Sequence, residues 1–362
     1  MAKNFPCPGC GADLSWSPGD GNLTCEYCGH YHEDTSLAIT FTPTKKFIAQ
    51  VDSYKRDTTP WGTETKEMSC GSCGAGFDIE PHHETSACPF CGSQAINPHK
   101  GDSWAMIPPD AVAPFGVTRD DAIRQFREWL AGLWFRPNAL KSMASLGKIE
   151  GSYIPVWAYD LKTDSKWEAE RGHYYYEEEE YEDAEGNTKT RRVRQTRWED
   201  AKGRHSGTWR DVMVNASKAI DQKLFEGLLP YNMNKLAPYG VQYLQGFVAE
   251  RYQVGLDDAY EVCKEKVEDW VESACGRAVG GDTHRGLEVE VRYLDPKFAL
   301  MLAPVWIAAY EYQGQSYRYI VNGQTGKAHG TSPVSWAKII GLIVFIVAII
   351  GAIVALANSG GG

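Results

Sequence analysis

"HYYYEEEEYEDAEGNTKTRRVRQTRWED", residues 173–200, is the stretch on which the fold turns. Four consecutive glutamates, Glu177 to Glu180, are followed, across the glycine-containing "AEGN", by Arg191, Arg192 and Arg194. Folding the chain back at the glycine sets acid against base, and opposite charges on facing strands contribute roughly 0.2–1 kcal/mol per pair. The segment predicts a charge-complementary β-hairpin over about 172–200, and a ribbon this long and charged is a candidate docking arm.

The flanks carry the same signature. "GSYIPVWAYDLKTDSKWEAERG" before the hairpin, and "LEVEVRYLDPKFALMLAPVWIAAYEYQGQSYRYIVNGQTGKAHG" later on, are aromatic and β-branched runs broken by short polar turns, the pattern of antiparallel strands. The tripeptide Pro-Val-Trp occurs in both, at 155–157 and 304–306, and hints at two related β halves. Helices are expected between them. Thr118 and Asp121 make a capping-box-like start to a run with Ile123, Phe126, Leu130, Leu133 and Trp134 at helical spacing before Pro137. "SKAIDQKLFEGLLPYNMNKLAPY" reads as a helix and loop, and "DDAYEVCKEKVEDWVESACG" as a long helix ended by Gly276. Cys263 and Cys275 lie on it about 120° apart and read as buried small side chains on different faces. Residues 99–335 are thus expected to form a cytoplasmic α+β domain, mainly antiparallel β with packed helices.

Ahead of this domain stand eight of the ten cysteines, as Cys7, Cys10, Cys25, Cys28 and Cys70, Cys73, Cys88, Cys91. Both sets read C-x2-C, fourteen residues, C-x2-C, and each C-x2-C is followed by glycine: Gly11, Gly29, Gly74 and Gly92. A tight knuckle that turns backbone N–H groups towards sulfur needs a residue tolerant of positive φ. Four thiolates complete a tetrahedral Zn²⁺ shell and leave no position for water or substrate, so two structural zinc ions are expected, in ribbons over 1–35 and 66–98 joined by a connector, 36–65. His30, His32, His82 and His83 lie near the knuckles and read as surface residues. Residues 1–100 hold seven Lys/Arg against twelve Asp/Glu, and the whole chain has a formal net charge of -10. Nucleic-acid affinity is supplied largely by Lys and Arg on phosphate, so a protein partner is favoured over nucleic acid.

The chain closes on "WAKIIGLIVFIVAIIGAIVALANSGGG". From Ile339 to Ala357 every residue is Ile, Leu, Val, Phe, Ala or Gly, enough at about 1.5 Å per residue to cover the roughly 30 Å hydrocarbon core. With Trp336 at the interface, this reads as a transmembrane helix over 336–357 and a short tail, 358–362. It would act as a tail anchor in a chain whose "MAKNFPCPGC" start has no secretory h-region. Lys327, His329 and Lys338 precede the span and nothing charged follows it, which places the bulk of the chain on the cytoplasmic side. Small residues at four-residue spacing, Ala348/Ala352 and Gly351/Ala355, would allow the span to pair with a second copy or a different membrane subunit. Enzyme signatures are missing. "NGQTGK" lacks the glycine and the Ser/Thr that a phosphate loop would need at Val321 and Ala328, and reads as a turn between strands; catalytic residues are not expected.

Taken together, the two CxxCG ribbons, "PFGVTRDDAIRQFREWL", "YIPVWAYD", "YLQGFVAERY", "APVWIAAYEYQGQSYRYIVNGQTGKAHG" and the terminal anchor resemble bacterial zinc-ribbon membrane proteins of the YdjG type. Such proteins are also likened to TFIIB-type zinc ribbons and to primosomal protein N-prime, a superfamily II helicase. This chain has no Walker A motif and no room for two motor domains, so the helicase likeness does not extend to activity. The resemblance implies a non-enzymatic scaffold at the bacterial inner membrane, with flotillin-like SPFH-domain proteins and phage-shock-protein-A-like proteins as cytoplasmic partners in membrane stress. The alternative is a membrane-tethered nucleic-acid-binding protein of replication or transcription.

Overall fold

The hairpin forms, and it is longer than its charged tip. The computed structural model describes residues 6–18, 20–33, 45–46, 66–79, 87–98, 106–133, 136, 149–182, 186–312 and 315–359. Most of the 36–65 connector, His82, His83, Trp134, Pro137 and the last three residues lie outside them. In chain order the strands are β1 (Ser15–Ser17), β2 (Asn22–Thr24), β3 (Tyr31–Glu33), β4 (Lys45–Lys46), β5 (Lys66–Cys70), β6 (Gly76–Ile79), β7 (Ile96–Pro98) and β8 (Ala111–Val112). Helix α1 (Arg119–Gly132) leads into β9 (Glu150–Glu182) and β10 (Thr188–Asn215), then α2 (Gln222–Glu226), β11 (Ala237–Pro238) and β12 (Val248–Glu250). Helix α3 (Leu256–Val279) leads into β13 (Thr283–Tyr312), β14 (Gln315–Asn322) and β15 (Ala328–Gly330), and α4 (Trp336–Ser359) follows.

Strands β1–β3 form a small sheet, and the other twelve form one large sheet, mainly antiparallel, in which β9 and β13 are the central pair. The fold is therefore α+β, with a mainly antiparallel sheet, four α-helices among the described residues and two four-cysteine clusters near the N-terminus. β9 and β10 stay paired from Val156↔Asn215 to Glu182↔Thr188, and β13 lies on the other side of β9 as far as Gly172. Beyond Gly172 the ribbon is two strands wide. Its register sets Glu179 opposite Arg191 and Glu178 opposite Arg192, whereas Arg194 faces Tyr176.

Proline in a central strand removes a ladder donor, so Pro155 and Pro304 require a reason. Each sits where its strand changes neighbours. β9 passes from β10, whose last pair is at Val156, to β12 at Ser152 and Tyr153; β13 passes from β8 at Met301 and Leu302 to β14 from Val305. The correspondence goes further. Val214↔Trp157 and Asn215↔Val156 in one half match Val321↔Trp306 and Asn322↔Val305 in the other. The next residue donates back to the proline carbonyl in both, Ala216 N to Pro155 O and Gly323 N to Pro304 O. Both tryptophans are buried and donate to a carbonyl just before a helix, Trp157 to Val254 and Trp306 to Val117. Those helices open on the same letters, V-x-x-D-D-A, at Val117 to Ala122 and Val254 to Ala259. The Pro-Val-Trp hint thus marks one end of an internal αββ repeat. The halves are reciprocal: α3 lies on β9, β10 and β13, and α1 on β14 and β15.

Helix α1 starts at the expected cap, Thr118, whose hydroxyl accepts from Asp121 N at 3.2 Å. Helix α3 runs past Gly276 to Val279 and stops at Gly280, where φ is +74°. Cys263 and Cys275 are both fully buried, as expected, and although about 120° separates them around the helix they join one core cluster. The buried positions 263, 267, 271, 275 and 279 advance by four residues, about 40° per step, so the contact line spirals around the helix as it follows the twisted strands.

Candidate metal centres

Each C-x2-C closes the same way. Gly11, Gly29, Gly74 and Gly92 donate N–H to the carbonyls of Cys7, Cys25, Cys70 and Cys88 at 2.8–3.0 Å, with φ between +72° and +77°. The first cysteine of each knuckle donates its own N–H onward, to Ala12, His30, Ala75 and Ser93. Four matching turns place the thiols in two groups, Cys7/Cys10/Cys25/Cys28 and Cys70/Cys73/Cys88/Cys91, each with all four sulfurs within 4.8 Å of one another. His30 is exposed beside its knuckle and belongs to neither group.

The sulfur spacing tests the fit to a metal. A tetrahedral ion with bonds near 2.3 Å needs Sγ···Sγ edges of about 3.8 Å. The closest edges are 3.4 Å for Cys7···Cys28, 3.5 Å for Cys10···Cys25, 3.6 Å for Cys70···Cys91 and 3.8 Å for Cys73···Cys88. Both sets therefore fit a thiolate-preferring ion such as zinc, which would bond the four sulfurs of each set and supply folding energy. The thiols share charge through hydrogen bonds: the Cys88 thiol holds Cys73 down at about 5, and the same bond pushes Cys88 up. Backbone N–H groups of Cys28 and Tyr27 aim at Cys25 and help bring it to about 7. Four sulfur ligands fill the tetrahedron and leave no vacant position for a reacting water.

The two ribbons join the body differently. The first keeps its own sheet, β1–β3, and docks through Trp16, whose indole N–H donates to Phe115 O at 3.2 Å and whose ring meets Tyr243 edge-on. The second is built into the large sheet: β6 pairs with β12, and Arg251 N donates to Gly76 O. The Arg251 guanidinium, 2% exposed, holds Asp78 through two 2.9 Å bonds and Glu67 at 3.0 Å. The cysteine spacing marks all eight clustered thiols but not this anchorage, since β6 and β12 meet over only two residue pairs.

Helix α4 is long and apolar enough to cross a membrane, and no residue of its 336–353 segment is buried against the rest of the chain. At its start Lys338 Nζ donates to Arg136 O at 2.8 Å, and the Arg136 guanidinium donates to Ser332 O.

No family model matches the chain, and no solved structure matches it. Over 351 residues it is 27% identical to a protein of Bacillus subtilis (strain 168) described as "Uncharacterized protein YdjG", an alignment that covers 94% of this chain and 92% of that one.

Proposed function

We propose that the protein is a zinc-ribbon scaffold held at the cytoplasmic face of the bacterial inner membrane by α4, and that it concentrates SPFH-domain and phage-shock-A-like proteins there. The observation that carries this reading is α4 itself, an apolar helix with no buried residue over 336–353, attached to a body whose metal-capable sites have closed thiol shells. Such an arrangement supplies location instead of turnover. Confinement near the bilayer raises effective concentration, so weak contacts from several surfaces give useful occupancy. Zinc is the ion that best suits closed sulfur tetrahedra. The acidic balance of residues 1–100 supports protein partners.

The test is crosslinking and pull-down of the full chain from native membranes. Recovery of an SPFH-domain protein, at a level resistant to nuclease and to moderate salt, is expected. Recovery of DNA or RNA in its place, with affinity falling steeply as salt is raised, would overturn the scaffold reading in favour of a tethered nucleic-acid binder.

A further inference from the structure

The internal repeat shows which part of the chain the fold does not need. In the second half, β13 ends at Tyr312, soon after Trp306; in the first, β9 continues from Trp157 to Glu182. One frame closes with a short hairpin and its counterpart carries a long one, so the distal ribbon, 173–182 with 188–197, is an addition to the scaffold.

Both edges of this addition are open among the described residues. Tyr174 N donates sideways to Asp282 Oδ2 at 2.8 Å, so the backbone of Tyr174 faces away from β10. Tyr174 opposes Thr196, and in an antiparallel ladder the pairs alternate between bonded and non-bonded. Tyr176, Glu178 and Glu180 therefore present N–H and C=O groups along the outer edge of β9. Thr190, Arg192, Arg194 and Thr196 do the same along the outer edge of β10. No bulge interrupts the register here; the one in this pair lies far below, between Trp209 and Val212.

The two edges differ in sign. β9 carries Glu177, Glu178, Glu179, Glu180 and Glu182, and β10 carries Lys189, Arg191, Arg192, Arg194 and Arg197. Internal ion pairing leaves much of the glutamate charge unused. Arg191 binds Glu179, at 2.8 Å, but Arg192 and Arg194 lie over the rings of Tyr176 and Tyr174. Glu177, Glu178 and Glu180 have no ion pair among the described residues. Charge on an edge normally blocks association. Here it repels β9 from a second β9 and β10 from a second β10, yet attracts β9 to the β10 of another copy.

We propose that the distal ribbon is a self-assembly element, in which the acidic β9 edge of one copy pairs antiparallel with the basic β10 edge of the next. The contact is heterologous, so each copy keeps a free edge of each sign and the series passes beyond a dimer. Joined copies point the same way, as copies anchored in one membrane must. Each is two strands wide at the tip and three below Gly172, so neighbours linked at their tips fan apart at the base, which favours closure into a ring. The assembly rests on the membrane anchoring proposed above, not on which cytoplasmic partner is recruited.

Two differently tagged full-length copies, one Glu178→Cys and one Arg192→Cys, are co-expressed and treated in native membranes with a short thiol crosslinker. Each copy has a single added thiol, so any new product joins two molecules. The mixed pair is expected to crosslink at least about tenfold more than either variant alone, and less as salt is raised. Thr190→Pro with Thr196→Pro removes two outward donors and no internal ladder bond, and is expected to cut the mixed product about tenfold while metal content is unchanged. Equal crosslinking in mixed and single-variant membranes, insensitivity to salt, or crosslinks only to a different protein would overturn the proposal.

Discussion

Asn215 and Asn322 do the same work at equivalent places, and their substitution measures how much the repeat contributes. Asn215 is buried; its amide donates to the Ser217 and Ile220 carbonyls while its Oδ1 accepts from Ser217 N. Asn322 is buried too, donating to Leu228 O and accepting from the N–H groups of Gln324 and Thr325. Replacing either with alanine strands several buried polar groups, and each of Asn215→Ala and Asn322→Ala is expected to cost about 2–4 kcal/mol in chemical denaturation. A loss below about 0.5 kcal/mol at one site alone would break the equivalence. Glu250 sets a pH dependence. Burial raises its carboxyl to about 8, so the folded chain holds a proton there that the unfolded chain has released. Its contribution is fully present below the ordinary carboxylate range and is lost as pH rises from about 4.5 to about 8. Glu250→Gln should remove that slope and stabilise the protein at pH 8, by up to a few kcal/mol, measured as thermal midpoints at pH 5, 6.5 and 8.

Among the elements, the ribbons, the charged hairpin, α1 and the terminal helix were legible because each is written in local chemistry: cysteine spacing, opposed charge runs, a capping threonine, an unbroken apolar run. The expected start of the hairpin, 172, coincides with the residue at which β13 leaves β9. Facts of pairing were not legible. The V-x-x-D-D-A recurrence acquires meaning only once Trp306 is seen to reach Val117 and Trp157 to reach Val254. The spiral contact line of α3 depends on strand twist, which a helical wheel ignores. Anchorage also changes what metal loss should do. Cys7→Ser should release the first ribbon locally, with hydrogen-exchange protection lost over residues 6–33, since that ribbon has its own sheet and meets the body largely by side-chain packing, Leu14 and Leu23 joining Trp16 there. Cys70→Ser should also loosen β12 and the adjoining part of β9, because β6 shares their sheet. Arg251→Met, which leaves Asp78 buried without its cation, should cost about 3–5 kcal/mol and mimic Cys70→Ser in the same exchange map. Identical protection patterns for Cys7→Ser and Cys70→Ser would refute the difference in attachment.

For the whole molecule, the arrangement is a body of two reciprocal halves with four features added: a ribbon docked by an aromatic contact, a ribbon merged into the sheet, a charged two-stranded extension, and an exposed apolar helix. Two zinc ions per chain are expected by metal analysis of reduced, full-length protein, and one or none would contradict the closed-tetrahedron reading of both clusters. In the proposed role, the helix is what ties these features to a membrane. The most direct measurement is the fraction of a tagged SPFH-domain or phage-shock-A-like partner that sediments with membranes, in cells carrying either the full chain or a chain lacking residues 336–362. The expected result is that both the shortened protein and the partner move to the soluble fraction; a partner that stays on the membrane at its normal level would contradict the proposed role.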